Sequence, residues 1–160
     1  MSNQIEAKAL DGVDLSEVKM VTDKEEIKDT YALYLDDESH SFDGDADKLV
    51  FPTTEAELAT ILRDAYGNGI PVTIQGGRTG LTGAAVPLGG IALNLEKMDR
   101  LLYLKWNAEE ELYSIAAEAG VLLEDLVKIV SGTKMDGLNG EEKSVYEEDI
   151  EKFMQEDGEY

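Results

Sequence analysis

Six glycines crowd the stretch QGGRTGLTGAAVPLGG, residues 75–90, which lies between two apolar runs. Gly76, Gly77, Gly80 and Gly83 alternate with Arg78, Thr79, Leu81 and Thr82. Residues without Cβ let the backbone take positive φ and turn successive N–H groups toward one point, a nest suited to phosphate oxygens. Arg78, one of only three arginines in the chain, and the two threonine hydroxyls are further donors in the same loop. A plain glycine-rich turn is the competing explanation, and the number of glycines in one loop weighs against it. Two familiar phosphate loops fail on spacing. The Walker pattern needs Gly-Lys-Ser/Thr, but there is no lysine between Lys48 and Lys97. The dinucleotide fingerprint needs Gly-x-Gly-x-x-Gly opening a helix, with an acid about 20 residues on. Glu96 lies at that distance, but Gly-Gly-x-x-Gly is the wrong spacing and Pro87 argues against a crossover helix.

The elements around the loop are legible. KLVFP (residues 48–52) reads as a strand. Thr54-Glu-Ala-Glu57 is a capping box opening a helix, with Leu58, Ile61, Leu62 and Ala65 on its apolar face and Gly67 and Gly69 at its end. IPVTI (70–74) and IALNL (91–95) are strands on either side of the glycine loop. Strand, helix, strand is a βαβ unit, which predicts parallel strands. Upstream, Thr22-Asp-Lys-Glu25 predicts a second capping box before a short helix reaching Tyr31 to Leu35. Downstream, LLYLKW and LYSIAAEAG read as an antiparallel hairpin across NAEEE, followed by an amphipathic helix, VLLEDLVKIV. The fold class is therefore α+β: a βαβ unit with a small parallel sheet, then a hairpin and a helix. Residues 1–20 read as a lead-in, 21–131 as the domain, and 132–160 as an acidic tail. That tail has Val145, Ile150, Phe153 and Met154 as a narrow apolar stripe.

Charge and composition exclude several partners. A net charge of −21 repels nucleic acid and anionic membranes at long range. A local phosphate pocket is still allowed, because salt confines the field to about 8–10 Å. With no cysteine there are no disulfides, thiolate metal sites or thiol catalysis. No run approaches a membrane span, and the start shows no signal peptide, so a cytoplasmic protein is expected. His40, the only histidine, lies among acids that favour its charged form and reads as a solvated loop residue. Asp43, Asp45 and Asp47 imitate the start of a calcium loop, but Lys48 and Thr54 stand where that loop needs glycine and glutamate. Tyr103 and Trp106 read as core or hairpin packing.

From Gly76 to Pro87 and on through Ile91-Ala92-Leu93-Asn94-Leu95-Glu96-Lys97-Met98, the sequence resembles a known flavoprotein loop and its following strand. The superfamily is that of p-cresol methylhydroxylase and vanillyl-alcohol oxidase, in the branch of glycolate oxidase large subunits and D-lactate dehydrogenases. The flanks DKLVFPTTEAELATILRDAYGNGIPV and AAEAGVLLEDL are similar too, so the likeness runs from about Val21 to Leu126. It implies the first half of a PCMH-type FAD-binding domain, with Gly76, Gly77, Arg78, Thr79, Gly80, Leu81, Thr82 and Gly83 at the FAD pyrophosphate. Arg78 replaces a family glycine, near where covalently flavinylated relatives carry histidine, so the resemblance implies non-covalent FAD. Ala84 replaces a second glycine. The implied chemistry is oxidation of a 2-hydroxy acid such as glycolate or D-lactate. Relatives continue into a second flavin segment and a substrate domain, so this chain is expected to be inactive alone. It is expected to pair with a complementary oxidoreductase chain or with itself. The alternative is a non-catalytic descendant acting as an acidic protein-interaction module.

Overall fold

A computed structural model of the chain describes residues 13–107 and 112–130. Residues 108–111 of the NAEEE turn, the Trp106 side chain and the acidic tail with its apolar stripe lie outside what is described. The chain divides into two compact units, one ending at Lys97 and one beginning at Met98.

The first unit is built on a four-stranded sheet. Its strands are β1 (Lys19–Val21), β2 (Lys48–Phe51), β3 (Val72–Gln75) and β4 (Ile91–Asn94), in the order β1-β2-β4-β3. β4 pairs in parallel with β2 on one side and β3 on the other, with Leu49 opposite Ala92 and Ile74 opposite Leu93. β1 runs antiparallel along the outer edge of β2. The strand–helix–strand run thus gives parallel strands as expected, but β4 stands between them. β4 is buried at every position, as a near-continuous apolar strand in a parallel sheet should be. β3 is instead an edge strand, with Ile74 exposed.

Alternation along β2 and β4 feeds two cores. Val50, Ile91 and Leu93 pack with Ile61 and Ala65 of helix α2 (Glu55–Gly67), and with Leu15 and Val18. On the opposite face Leu49, Phe51 and Ala92 meet Val21, Ile27 of helix α1 (Lys24–Thr30), and Leu35. Leu35 closes a 3-10 turn, Ala32–Leu35, that directly follows α1.

The capping box on α2 forms as expected. The Glu57 amide donates to Thr54 Oγ1 at 3.2 Å, and Glu57 Oε2 accepts from the amides of Thr53 and Thr54. At α1 the cap is displaced by one residue: Asp23, not Thr22, accepts from the amides of Glu25 and Glu26. A carboxylate one step nearer the helix takes two amides at once, which a Thr22 hydroxyl at the earlier position does not. α2 ends at Gly67 and is capped by Asn68, followed by Gly69 at φ 62, the left-handed stop that glycine favours.

In the second unit β5 (Leu101–Asn107) pairs antiparallel with β6 (Leu112–Ala117), and helix α3 (Leu123–Val130) follows. The Arg100 side chain and amide grip both oxygens of Glu118, holding that carboxyl below the usual range. Tyr103 is exposed rather than in the core. Leu101, two residues earlier, is buried, and the β5–β6 register shifts between the two, which breaks the alternation that would put them on one face.

Candidate functional site

The glycine loop, residues 76–90, leaves the C-terminal end of β3 and returns at the start of β4. In open parallel sheets, ligands bind in the crevice beyond the carboxyl ends of the strands. The loop's left-handed residues are Arg78 (φ 55), Gly83 (φ 72), Gly89 (φ 98) and Gly90 (φ 69). The expectation of positive φ therefore holds for part of the loop only. Gly80 is not left-handed, and a Cβ built on it meets nothing within 4 Å. At Gly83 the Phe42 ring takes the place a side chain would need. Gly77, Thr79, Gly80, Leu81 and Thr82 are exposed, while Gly76, Arg78 and Gly83 are half-buried.

Under the loop runs a closed circuit of polar groups that sequence reasoning missed. Gln75, fully buried as the last residue of β3, donates from Nε2 to the carbonyls of Tyr34 and Ala85 at 2.7 Å each. Asn94 Nδ2 lies 3.5 Å from Gln75 Oε1, and Asn94 Oδ1 accepts from the Glu96 amide at 2.9 Å. The Tyr34 hydroxyl closes the circuit, at 3.0 and 2.9 Å from the two Glu96 carboxylate oxygens. Burial first, then the Glu96 hydrogen bond and charge, push the Tyr34 phenol up to about 12. The only trace of this in the sequence is Gln75 and Asn94 ending two otherwise apolar strands. A buried amide at that place needs a partner.

Arg78 sits on this circuit. Its Cζ lies 4.4 Å from the centroid of the Tyr34 ring, within cation–π range. The same ring meets Phe51 edge-on at 5.2 Å. Among the described residues the guanidinium makes no hydrogen bond or ion pair. A non-glycine residue at φ 55 is unusual, and here the Arg78 carbonyl is held by the Glu38 amide at 3.2 Å.

The acidic segment 36–47 packs along the loop. The Asp45 amide donates to the Pro87 carbonyl at 2.9 Å, and the Asp45 carbonyl accepts from Gly89 at 2.7 Å. Asp47 Oδ2 accepts from the Gly90 amide at 2.9 Å. Asp45 and Asp47 also pair with Lys24, and Asp45 with Lys28, so these carboxylates are committed to the fold. Among the described residues no group of histidine and acids is arranged to hold a metal. Asp37 is buried against the loop, and its Oδ1 accepts from the Ser39 amide at 3.0 Å. The Ser39 hydroxyl first, then the amides of Ser39, Ala85 and Gly83, hold its carboxyl below the usual range against the opposing effect of burial. His40 is exposed, with Nδ1 2.6 Å from Asp36 Oδ2, which raises its pKa.

A profile of the family described as FAD binding domain matches residues 46–140, more than half of the chain. The chain belongs to the FAD binding domain family. This FAD binding domain is 38% identical over 81 residues to the D-lactate dehydrogenase of Anaerostipes hadrus, covering 50% of the chain and 16% of that relative. It is 29% identical over 113 residues to the mitochondrial D-2-hydroxyglutarate dehydrogenase of Arabidopsis thaliana, covering 70% of the chain and 19% of that relative. The chain therefore spans less than a fifth of the length of these relatives. Among solved structures, 6-hydroxy-D-nicotine oxidase from Arthrobacter nicotinovorans matches with TM-score 0.56 at 18% identity, over 83% of the chain and 26% of the oxidase. Aclacinomycin oxidoreductase matches with TM-score 0.54 at 17% identity, over 71% of the chain and 22% of the other protein. The α+β fold is that of PCMH-type flavoenzymes, and FAD is the family's cofactor. Among the described residues no helix is long and apolar enough to cross a membrane.

Proposed function

We propose that residues 76–83 hold the pyrophosphate of FAD, and that the chain is the pyrophosphate-binding part of an FAD-linked oxidoreductase acting on a 2-hydroxy acid such as glycolate or D-lactate. The observation that carries this is Gly80. Neither its φ nor its neighbours require glycine, so the missing Cβ leaves room for something from outside the chain. In this reading a diphosphate takes that room. Gly77 and Thr79 to Thr82 are exposed along it, and Arg78 supplies a positive charge with no ionic partner among the described residues. Bound FAD supplies the electron acceptor; the chain's own task is to seat it. The two dehydrogenase relatives support the 2-hydroxy-acid class.

In this reading residues 21–131 form the cofactor-binding part and 132–160 an acidic tail. Substrate-binding and proton-transfer groups come from outside these residues, so the chain alone does not turn over a 2-hydroxy acid. The setting is cytoplasmic, and a complementary oxidoreductase chain or a second copy completes the site. A second reading, a non-catalytic acidic interaction module, draws on the exposed apolar side chains of Ile74, Leu81 and Leu88 on and beside the loop.

The visible spectrum of the gently purified chain, with and without added FAD, separates the two. Flavin uptake that is lost on Gly77→Asp supports the first reading, because that change puts a carboxylate where phosphate sits. A stable fold that takes up no FAD at high concentration sinks it.

A further inference from the structure

We infer that Tyr34, anchored by Glu96, is a positioning residue that holds the Arg78 guanidinium over the glycine loop as the side-chain charge for a bound diphosphate. The inference rests on the FAD reading above and adds a residue 44 positions away in the sequence to the site.

Arg78 has an unfavourable backbone and, among the described residues, no ionic partner. The left-handed region costs an ordinary residue about 1–2 kcal/mol, and φ 55 lies within it. The side chain does not offset this through a carboxylate of the described residues. Its contact is the Tyr34 face at 4.4 Å. An aromatic face holds a guanidinium flat and leaves its edge N–H groups free, and those edges are the donors that match phosphate oxygens. A carboxylate partner would use them up.

Tyr34 is itself immobilised from three sides. Its hydroxyl is held by both Glu96 oxygens, its carbonyl by Gln75, and its ring by the Phe51 edge. Gln75 is the last residue of β3 and Glu96 lies two residues past the end of β4, and these strands carry the two ends of the glycine loop. The ring under Arg78 is thus fixed to the same strands that set the loop. A guanidinium stacked on it keeps its place relative to the loop amides without any bond of its own.

The test is calorimetric titration of the chain with FAD and with ADP. Arg78→Gln and Tyr34→Leu are each expected to weaken binding about tenfold, the scale of one charge-assisted hydrogen bond. The double variant Tyr34→Leu with Arg78→Gln is expected to bind no more weakly than either single one, because the two act as a unit. Tyr34→Phe keeps the aromatic face and is expected to stay within about threefold of wild type. Losses that multiply in the double variant, or unchanged affinity in Tyr34→Leu, overturn the inference and leave the FAD reading standing. No binding of FAD or ADP by wild type overturns both. If Tyr34→Leu does not fold, ring-labelled tyrosine gives the answer by nuclear magnetic resonance. ADP is expected to shift the Tyr34 ring signal, assigned through Tyr34→Phe, in wild type but not in Arg78→Gln. A Tyr34 signal unmoved at saturating ADP overturns the inference.

Discussion

Gly80→Ala is a small change that separates what the fold needs from what a ligand needs. The backbone at Gly80 is outside the left-handed region and a Cβ meets nothing within 4 Å. The folded state therefore accepts the methyl without strain. The unfolded chain loses conformational freedom, so stability is expected to stay level or rise by about 0.4–1 kcal/mol. Binding responds differently. A methyl beside an amide that donates to phosphate forfeits a charge-assisted hydrogen bond, about 1.5–3 kcal/mol, which is roughly tenfold to hundredfold in Kd. Gly90→Ala is the contrast. Gly90 sits at φ 69, its added Cβ meets the carbonyl and ring of Pro71, and its own carbonyl is held by the amides of Asp47 and Lys48. Left-handed strain and overpacking together predict a loss of about 2–5 kcal/mol. Thermal melting with and without FAD reads both quantities for both variants. Gly80→Ala melting like wild type but binding FAD weakly is the expected result. Wild-type FAD affinity in Gly80→Ala, or a melting loss comparable to that of Gly90→Ala, refutes the reasoning.

Further outcomes are expected for the fold and its ionisable groups. The Tyr34 phenol, raised from an ordinary 10 to about 12, contributes stability that is complete below about pH 10 and lost as pH rises to about 12. The difference in urea-unfolding free energy between wild type and Tyr34→Phe should be flat below pH 10 and shrink above it; a difference that stays constant through pH 12 contradicts this. Leu93→Ala, in the fully buried central strand, should cost about 2–5 kcal/mol in the same assay. Thr54→Ala removes the hydroxyl that accepts from Glu57 and should cost about 1 kcal/mol, with FAD uptake unchanged.

What the sequence made legible were features signalled locally. β2, α2 and β4 could be read because their apolar spacing and the Thr54–Glu57 cap lie within a few residues. The insertion of β4 between β2 and β3 has no local signal, since it depends on pairing between segments about 20 and 40 residues apart. β1 is three residues long and owes its place to the edge of β2. The glycine loop was visible as composition, but its conformation was not. Positive φ falls on Arg78, for which no intrinsic preference argues, and passes over Gly80. Tyr34 and Glu96 meet across 62 residues and read singly as an ordinary aromatic and an ordinary acid.

The position of the glycine loop between β3 and β4 has one more consequence. These strands are parallel neighbours, so residues 76–90 must run back along the length of the sheet, about 13 Å for four-residue strands. Helices usually make such returns. Here a loop does it, fastened near its far end to Asp45 and Asp47 and near its start by the Glu38 amide on the Arg78 carbonyl. Surface loops ordinarily tolerate insertions. This one behaves as a measured strap, in which one residue added or removed shifts every amide between the two fastenings. Its length is as much a part of the proposed anion site as its glycines.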